Sequence, residues 1–519
     1  MTITTESLTR ALAEITAIVG DEHVLQADSD RRLYSRDIFF WDAAPLCDAV
    51  VRPADSAQVA AIARVSAAHG IALAPRGGGV SYTGGYVPTR SATIVLDLSR
   101  LNQIREINLP DLYVTVDAAC TWQPLDAALK VHGMRPAMKG PISGTHATIG
   151  GVASQNTGSA SMAPFLSLEV VMADGRIVHT GSAGVIQNGK PFSRCYGPDL
   201  TGLFLGDTGS FGIKTRCTLA IEPIPVGVAF ASVGFDTMSQ ITAAMCDIAR
   251  SGIHCQMLGM DSLKNRTATQ VGIRDGARTL AAVVTSADSL LSGIKQAVGI
   301  AGAGQSVLHD LPWSLHLTVE GHDQVAADHA LDALRPLWAR DGRDVAPSVP
   351  IAMRSRPYSI RGILGPRGER WIPVHGIFPL SRVTTAVECL QEFFLRHASH
   401  LQAQAIEHAY IMTSTGASLL IEPMFYWSDE ISPLHARALG DKYRQYADRP
   451  ANPETRATVV ALRRDLAELF RRLGAIHSQI GKYYKFAGNL EPDTYAVLQS
   501  IKHALDPDGR LNPGNLGFS

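Results

Sequence analysis

Three glycine-rich stretches carry the residue types that hold an anion through the backbone. In the first, Pro75-Arg76-Gly77-Gly78-Gly79-Val80-Ser81-Tyr82-Thr83-Gly84-Gly85-Tyr86-Val87-Pro88, five glycines and two hydroxyl residues follow a strand pattern. Glycine permits positive φ and lets backbone N–H groups converge, so this loop suits a pyrophosphate. The second, Ser143-Gly144-Thr145-His146-Ala147-Thr148-Ile149-Gly150-Gly151 followed by Asn156, sets hydroxyls and paired glycines where a planar cofactor could pack closely. The third runs Gly202-Leu203-Phe204-Leu205-Gly206-Asp207-Thr208-Gly209-Ser210-Phe211-Gly212-Ile213 into a strand. One such loop is weak support; three within one α/β segment point to a nucleotide-bearing cofactor.

Two rival motifs fail on chemistry. Gly184-Val185-Ile186-Gln187-Asn188-Gly189-Lys190 has phosphate-loop spacing, but Pro191 follows where a hydroxyl would hold magnesium. A G-x-G-x-x-G on a strand-to-helix turn is also missing, which speaks against a nicotinamide site. Acid/base candidates are histidines, which titrate near neutral pH: His146 in the second loop, His477 near the C-terminus, and His375 on an expected strand. Each also reads as a structural histidine satisfied by its neighbours.

Residues 49–98 must position the first loop, and they read strand, helix, strand, glycine loop, strand. Helical spacing over 122–132 and a hairpin over 168–178, with Asp174-Gly175 at its turn, position the second and third loops. Pro223 and Pro225 close this half, because proline cannot continue a ladder. Residues 227–476 are mixed, with strands expected at 279–284 and 418–421 and helices at 384–397 and 451–473. At 519 residues more than one core is expected.

Lys+Arg 47 against Asp+Glu 48 gives a net charge of -1, with no basic excess to neutralise phosphates, so a small-molecule substrate is favoured over nucleic acid. Seven dispersed cysteines without a C-x-x-C pair are expected to be buried, reduced thiols. Leu8, Leu12, Ile15 and Ile18 predict an amphipathic N-terminal helix and not a signal peptide. No stretch has the roughly 20 apolar residues a membrane span needs, and a cytoplasmic location is expected.

The three loops resemble the FAD-binding domain of the vanillyl-alcohol oxidase/p-cresol methylhydroxylase (PCMH-type) superfamily. Residues 75–88 are closest to its glycolate oxidase and D-lactate dehydrogenase branch, and Ile501-Lys502-His503-Ala504-Leu505-Asp506-Pro507-Asp508-Gly509-Arg510-Leu511-Asn512-Pro513-Gly514 resembles its C-terminal signature. The resemblance spans roughly residues 49–225 and 474–519 and implies an α+β fold. An FAD-binding domain of two α/β subdomains would occupy residues 1–225, a cap with an antiparallel sheet covered by helices residues 226–476, and a returning tail residues 477–519.

It further implies that Arg76, Gly77, Gly78, Gly79, Ser81 and Gly84 hold the pyrophosphate. Gly144, Thr145, Thr148, Gly150, Gly151 and Asn156 would line the flavin, Gly212 and Ile213 lie near the adenine end, and Asn512 approach the ring. Some relatives tether FAD through a histidine after the first glycines; here Val80 follows Gly79, so non-covalent FAD is expected.

The substrate is less determined. Hydroxy-acid dehydrogenases of the family carry a metal-binding G-H-x-x-D-G-N-x-H strand and a later E-H-G segment, whereas this chain reads His375-Gly376-Ile377-Phe378-Pro379 and His477-Ser478-Gln479, so no metal is expected. Phenol-oxidising relatives hold a phenolate with a tyrosine and an adjacent arginine, and Tyr483-Tyr484-Lys485 stands in a similar place; lysine keeps the charge and loses the planar fork.

Tyr358, Trp371, Phe378 and Phe425-Tyr426-Trp427 suit an aromatic substrate or an ordinary core equally. Arg354, Arg356, Arg361, Arg367 and Arg370 would suit a carboxylate, though at least three are expected on solvated faces. The leading expectation is FAD-dependent oxidation of an aryl alcohol or para-alkylphenol; the alternatives are a D-2-hydroxy acid dehydrogenase and, more remotely, a flavin-binding module without catalysis. Oxygen, a cytochrome or a quinone stay open as electron acceptor, and a homodimer as assembly.

Overall fold

A computed structural model describes residues 4–39, 44–157, 162–187, 189–269, 311–358, 363–365, 367–414 and 416–518. The chain divides into two compact units, Met1–Ile224 with Ser432–Gly440 and Ser478–Ser519, and Pro225–Ile431 with Asp441–His477. His477 thus belongs to the second unit and not to the tail.

The first unit opens with α1 (Thr5–Val19), which buries Ala11, Ile15 and Val19 against α2 (Ser56–His69) and keeps Leu8, Leu12 and Ile18 at the margin of that core. Strands β1 (Val24–Leu25), β2 (Ala49–Val51), β3 (Ala72–Arg76) and β4 (Thr93–Asp97) form a sheet in the order β1-β2-β4-β3, parallel except for β1. The nearly unbroken apolar runs of β2 and β4 fit strands covered on both faces.

The second subdomain is antiparallel. Its strands β5 (Ile104–Asn108), β6 (Tyr113–Asp117), β7 (Met134–Pro136), β8 (Phe165–Val171), β9 (Ile177–His179) and β10 (Ile213–Pro223) run in the order β5-β6-β10-β8-β9, with β7 also on β10. Helices α3 (Trp122–Lys130) and α4 (Ile149–Gln155) accompany it. The expected hairpin turns at Gly175, φ +81°. Pro223 does not stop the ladder before it: it is the last residue of β10, opposite Met134.

The C-terminus is stitched into the first sheet. After α10 (Pro492–Leu505), Leu73 N–H donates to the Arg510 carbonyl (2.9 Å) and Asn512 N–H to the Leu73 carbonyl (2.8 Å), so the tail pairs with edge strand β3. Buried Lys502 donates to the carbonyls of Ser210 (2.8 Å) and Leu511 (3.1 Å) and to Asp506 (2.5 Å), whose carboxylate also accepts the Arg510 and Leu511 amides.

The second unit is built on an antiparallel sheet of β11 (Gly227–Phe235), β12 (Cys255–Asp261), β13 (Trp313–Gly321), β14 (Arg343–Val345), β15 (Arg370–Pro373), β16 (Gly376–Pro379), β17 (Glu407–Ser414) and β18 (Ser418–Trp427). One face takes helices α5 (Met238–Arg250), α8 (Val383–Ala403) and α9 (Pro453–Arg472): Phe394 of α8 stacks on His408 at 4.2 Å and lies 5.7 Å from Phe425, and Phe470 of α9 meets Phe378 edge-on at 5.3 Å. Between them in sequence stand α6 (Ser262–Thr269), which packs on β12, β13 and β17, and α7 (Gln324–Leu334) on β11 and β13.

Several expectations need correction. Phe378 and Phe425 belong to the helix-covered core and so to no ligand wall. His375 lies in the connection between β15 and β16, not within a strand. Cys47, Cys120, Cys217 and Cys246 are buried, whereas Cys195 is exposed and Cys255 and Cys389 half-buried; all seven are free thiols. The strand expected at 279–284 and Arg361 fall outside the described residues.

Candidate functional site

Strand β3 delivers its C-terminal end to the first glycine loop, and two buried groups fix the loop's shape. Asp37, fully buried, accepts the Gly84 amide at 2.7 Å and the Phe39 amide at 2.8 Å. The Tyr86 hydroxyl lies 3.0 Å from both the Arg36 and Gly79 carbonyls, and burial pushes its acidity down. Arg76 is buried between two rings, 4.5 Å from the Tyr34 centroid and 5.2 Å from that of Tyr86. Its guanidinium therefore backs the loop from behind. Ser81 turns its hydroxyl to Thr83, 3.2 Å away.

The first and second loops meet without room for a side chain. A Cβ on Gly78 would stand 1.9 Å from the His146 carbonyl oxygen, and one on Gly79, at φ +70°, 2.0 Å from Arg76. Thr148 caps α4 by accepting the Gly151 amide at 3.1 Å, and Asn156 ends that helix in the left-handed region at φ 48°. Gly150 packs on Ala118, and the Gly144 amide donates to the Pro141 carbonyl at 2.9 Å.

Around this junction several buried polar atoms have no partner among the described residues: Thr145 Oγ1, His146 Nε2, Gln155 Oε1 and Trp122 Nε1. Such a concentration is unusual, because buried polar atoms normally find partners. It is what a cofactor with polar edges would satisfy, so the residues fit FAD. Burial also lowers the His146 pKa, which keeps the ring neutral near pH 7. Gly212 and Ile213 lie one loop away, at the start of β10, where a Cβ on Gly212 would meet Val170 at 2.3 Å.

The tail returns to the same loops. Gln479 donates its amide N–H to the Gln155 carbonyl (2.8 Å) and its side-chain nitrogen lies 3.1 Å from the Tyr82 hydroxyl; the Lys482 amide reaches the Thr83 carbonyl at 2.8 Å. Asn512 Nδ2 donates to the carbonyls of Gly85 (2.7 Å) and Thr208 (2.6 Å), tying the first loop to the third. Lys482 Nζ sits 3.2 Å from the Gly84 carbonyl and 3.3 Å from Asn512 Oδ1; burial pulls its pKa down to about 7, against the opposing charge of Asp37. Tyr483 and Tyr484 follow as an edge-to-face pair, 5.2 Å and 82° apart, with Lys485 exposed.

The second unit gathers a different set. His477 Nδ1 lies 2.6 Å from the His375 carbonyl, and burial pulls the His477 pKa down to about 4. His375 Nε2 stands 3.8 Å from Glu422 Oε1. Of the arginines, Arg354 pairs with Glu320, Arg367 with Glu369 and Glu407, and Arg370 is buried over Trp427. Among the described residues no three His, Cys, Asp or Glu side chains are grouped to hold a metal ion, and no helix is long and apolar enough to cross a membrane.

His375 and His477 lie in the second unit, and Tyr483 and Tyr484 in the first. Asp37, Gln155 and Lys482 were missed. Only Lys482 carried a signal, a lysine placed directly between Gly481 and Tyr483.

Residues 47–181 match the FAD binding domain family and residues 480–516 the C-terminal domain of FAD linked oxidases. D-lactate dehydrogenase [cytochrome] 1 of Saccharomyces cerevisiae is 29% identical over 214 residues, 40% of this chain and 35% of that protein. Matches of this kind span 35–50% of the curated relatives' own length. The fold is similar to p-cresol methylhydroxylase (TM-score 0.73, 19% identity, 100% of this chain and 98% of that one) and to 4-ethylphenol oxidase from Gulosibacter chungangensis (TM-score 0.72, 18% identity, 99% and 98%).

Proposed function

From the premise that the chain belongs to the PCMH-type FAD-binding superfamily of flavoproteins, we propose that it oxidises a small hydroxylated aromatic, an aryl alcohol or para-alkylphenol. The observation that carries this reading is the placement of Tyr483 and Tyr484, on a segment hydrogen-bonded to both cofactor loops at Gln155 and Thr83.

FAD, once bound, supplies the two-electron acceptor for a hydride from the substrate carbon. The chain's part is to bind, orient and move protons. Phenol hydroxyls at Tyr483 and Tyr484 and the Lys485 charge favour a substrate phenolate, which pushes electron density toward the para carbon and eases hydride loss. Gly77, Gly78, Gly79 and Ser81 hold the pyrophosphate by backbone amides, with Arg76 supporting them, while the Gly84 amide, taken by Asp37, shapes the loop. Gly144, Thr145, Thr148, Gly150, Gly151, Asn156 and Asn512 line the flavin. Val80 in place of a tethering histidine favours non-covalent attachment.

A second reading, oxidation of a D-2-hydroxy acid, draws support from the likeness of the cofactor half to D-lactate dehydrogenases. The electron acceptor in either case is oxygen, a cytochrome or a quinone, and the cytoplasm is the proposed location. Anaerobic bleaching of the flavin band near about 450 nm separates the readings. Reduction by 4-hydroxybenzyl alcohol and not by D-lactate is expected, with Tyr484→Phe slowing it at least tenfold; reduction by D-lactate alone overturns the aromatic reading.

A further inference from the structure

The first two glycine loops meet, yet they offer a cofactor different groups. In the second loop the backbone is already committed. The Ser143 carbonyl accepts the amides of both His146 and Ala147 at 2.8 Å, and the Gly144 amide goes to the Pro141 carbonyl at 2.9 Å. Ile149 and Gly150 donate to the carbonyls of Cys120 (2.9 Å) and Ala118 (2.8 Å), and Gly151 to Thr148 Oγ1 at 3.1 Å. A loop so engaged has few amides to give an anion. What it leaves unmet are side-chain atoms: Thr145 Oγ1 and His146 Nε2 are buried without a partner among the described residues. The segment that carries them is pressed against the first loop, since a Cβ on Gly78 would stand 1.9 Å from the His146 carbonyl oxygen and one on Gly77 2.5 Å from Thr148 Oγ1.

We infer that His146 is a cofactor ligand and not a base for the substrate, its Nε2 donating to the pyrophosphate of FAD where the two loops meet. Phosphate oxygens only accept, so Nε2 must carry hydrogen, and an imidazolium makes the shorter and stronger bond. An anion within about 4–6 Å favours the charged ring, whereas burial in the empty site favours the neutral one. Filling the site therefore takes up a proton at His146.

The other groups at the junction leave that proton to His146 in one pH range. Arg76 sets a permanent cation against Gly79. Cys120, whose carbonyl receives the Ile149 amide, is pushed by burial up to about 11 and stays a thiol. Asp37 accepts the amides of Gly84 and Phe39. Lys482, brought by the tail to the Gly84 carbonyl, is pulled by burial down to about 7. A lysine titrating there is largely charged at pH 6, so uptake at pH 6 belongs to the histidine and any uptake at pH 8.5 to the lysine.

The inference rests on the assignment of the first loop to the pyrophosphate and is independent of the substrate. Its test is calorimetric titration of the FAD-free full chain with FAD, in two buffers of different ionisation enthalpy, followed by phosphorus NMR of the bound cofactor. Uptake of at least about half a proton is expected at pH 6. His146→Gln keeps a neutral donor, so it should match wild type within about threefold at pH 8, bind at least about fivefold more weakly than wild type at pH 6, and lose the uptake there. The pyrophosphate resonances should move between pH 6 and pH 8 in wild type and stay still in His146→Gln. No uptake by wild type at pH 6, an unchanged uptake in His146→Gln, or an equal loss of affinity at both pH values overturns the role. Failure of the loop assignment looks different from a misplaced histidine: the phosphorus resonances then ignore both His146→Gln and Arg76→Lys, whereas with the pyrophosphate at the first loop but beyond the reach of Nε2 only Arg76→Lys moves them.

Discussion

The glycine loops of the first unit and the sheet of the second solve opposite problems. The loops bury polar atoms without partners, at Thr145, His146, Gln155 and Trp122, and exclude side chains at Gly78 and Gly79. The sheet face instead sets its polar groups against one another, Glu422 facing His375 and Lys264, and leaves charge to be redistributed. A site with unmet hydrogen bonds is shaped for one permanent guest. The largest effect that sharpens this contrast is at the loops. Gly78→Ala puts a Cβ into the His146 carbonyl, a backbone atom that cannot rotate away, so purified protein should lack the flavin band, with FAD affinity down at least a hundredfold. A yellow Gly78→Ala protein would mean that the loops are more pliant than their packing indicates.

Thr145→Val is smaller and changes sign with the cofactor. Removing a buried hydroxyl that has no partner relieves a desolvation cost of about 1–3 kcal/mol, so the FAD-free protein should be more stable in denaturant titrations. The same change should weaken FAD about tenfold, since a hydrogen bond of about 1.4 kcal/mol is lost. Equal effects on the two forms would remove Thr145 from the cofactor's contacts.

The same contrast explains what the sequence disclosed. The proposed cofactor loops are set by backbone geometry, and backbone geometry forces residue type: Gly78 has no alternative where a carbonyl stands 1.9 Å from its missing Cβ, and Thr148 is written as a helix cap. The first sheet was equally readable, since β2 and β4 are apolar runs and α2 a clear helix between strands. Side-chain placement on the second unit's sheet left no such trace. Phe425, Tyr426 and Trp427 are consecutive aromatics, and only the pairing of Trp371 with Tyr426 sends one to the face of Ala409 and Met424 and Phe425 to the helices. Lys264 reaches that face from α6, far from Glu422 in sequence, and no spacing rule joins them. Asp37 was likewise invisible, because its partner, the Gly84 amide, is backbone.

The smallest predicted effect compares one lysine from each region. Lys482 has a folded pKa of about 7 because burial opposes its charge, whereas an unfolded lysine titrates near about 10.4. Between these values the unfolded chain holds a proton that the folded chain has released, so stability of the FAD-free protein should rise with pH, by up to about 1.4 kcal/mol per unit. Lys264, at about 8, contributes a slope of the same sign that begins one unit higher. Urea titrations of FAD-free protein at half-unit steps from pH 7 to 10 should give a Lys482→Met profile that is flatter than wild type from pH 7 upward, and a Lys264→Met profile that departs only above pH 8. Loading FAD then separates the lysines. If Lys482 faces the cofactor's phosphates, its folded pKa climbs back toward the unfolded value and the difference between wild type and Lys482→Met vanishes, while the Lys264 difference stays. Profiles that remain apart after loading would place Lys482 away from the phosphates, as a link between the tail and the Gly84 carbonyl alone.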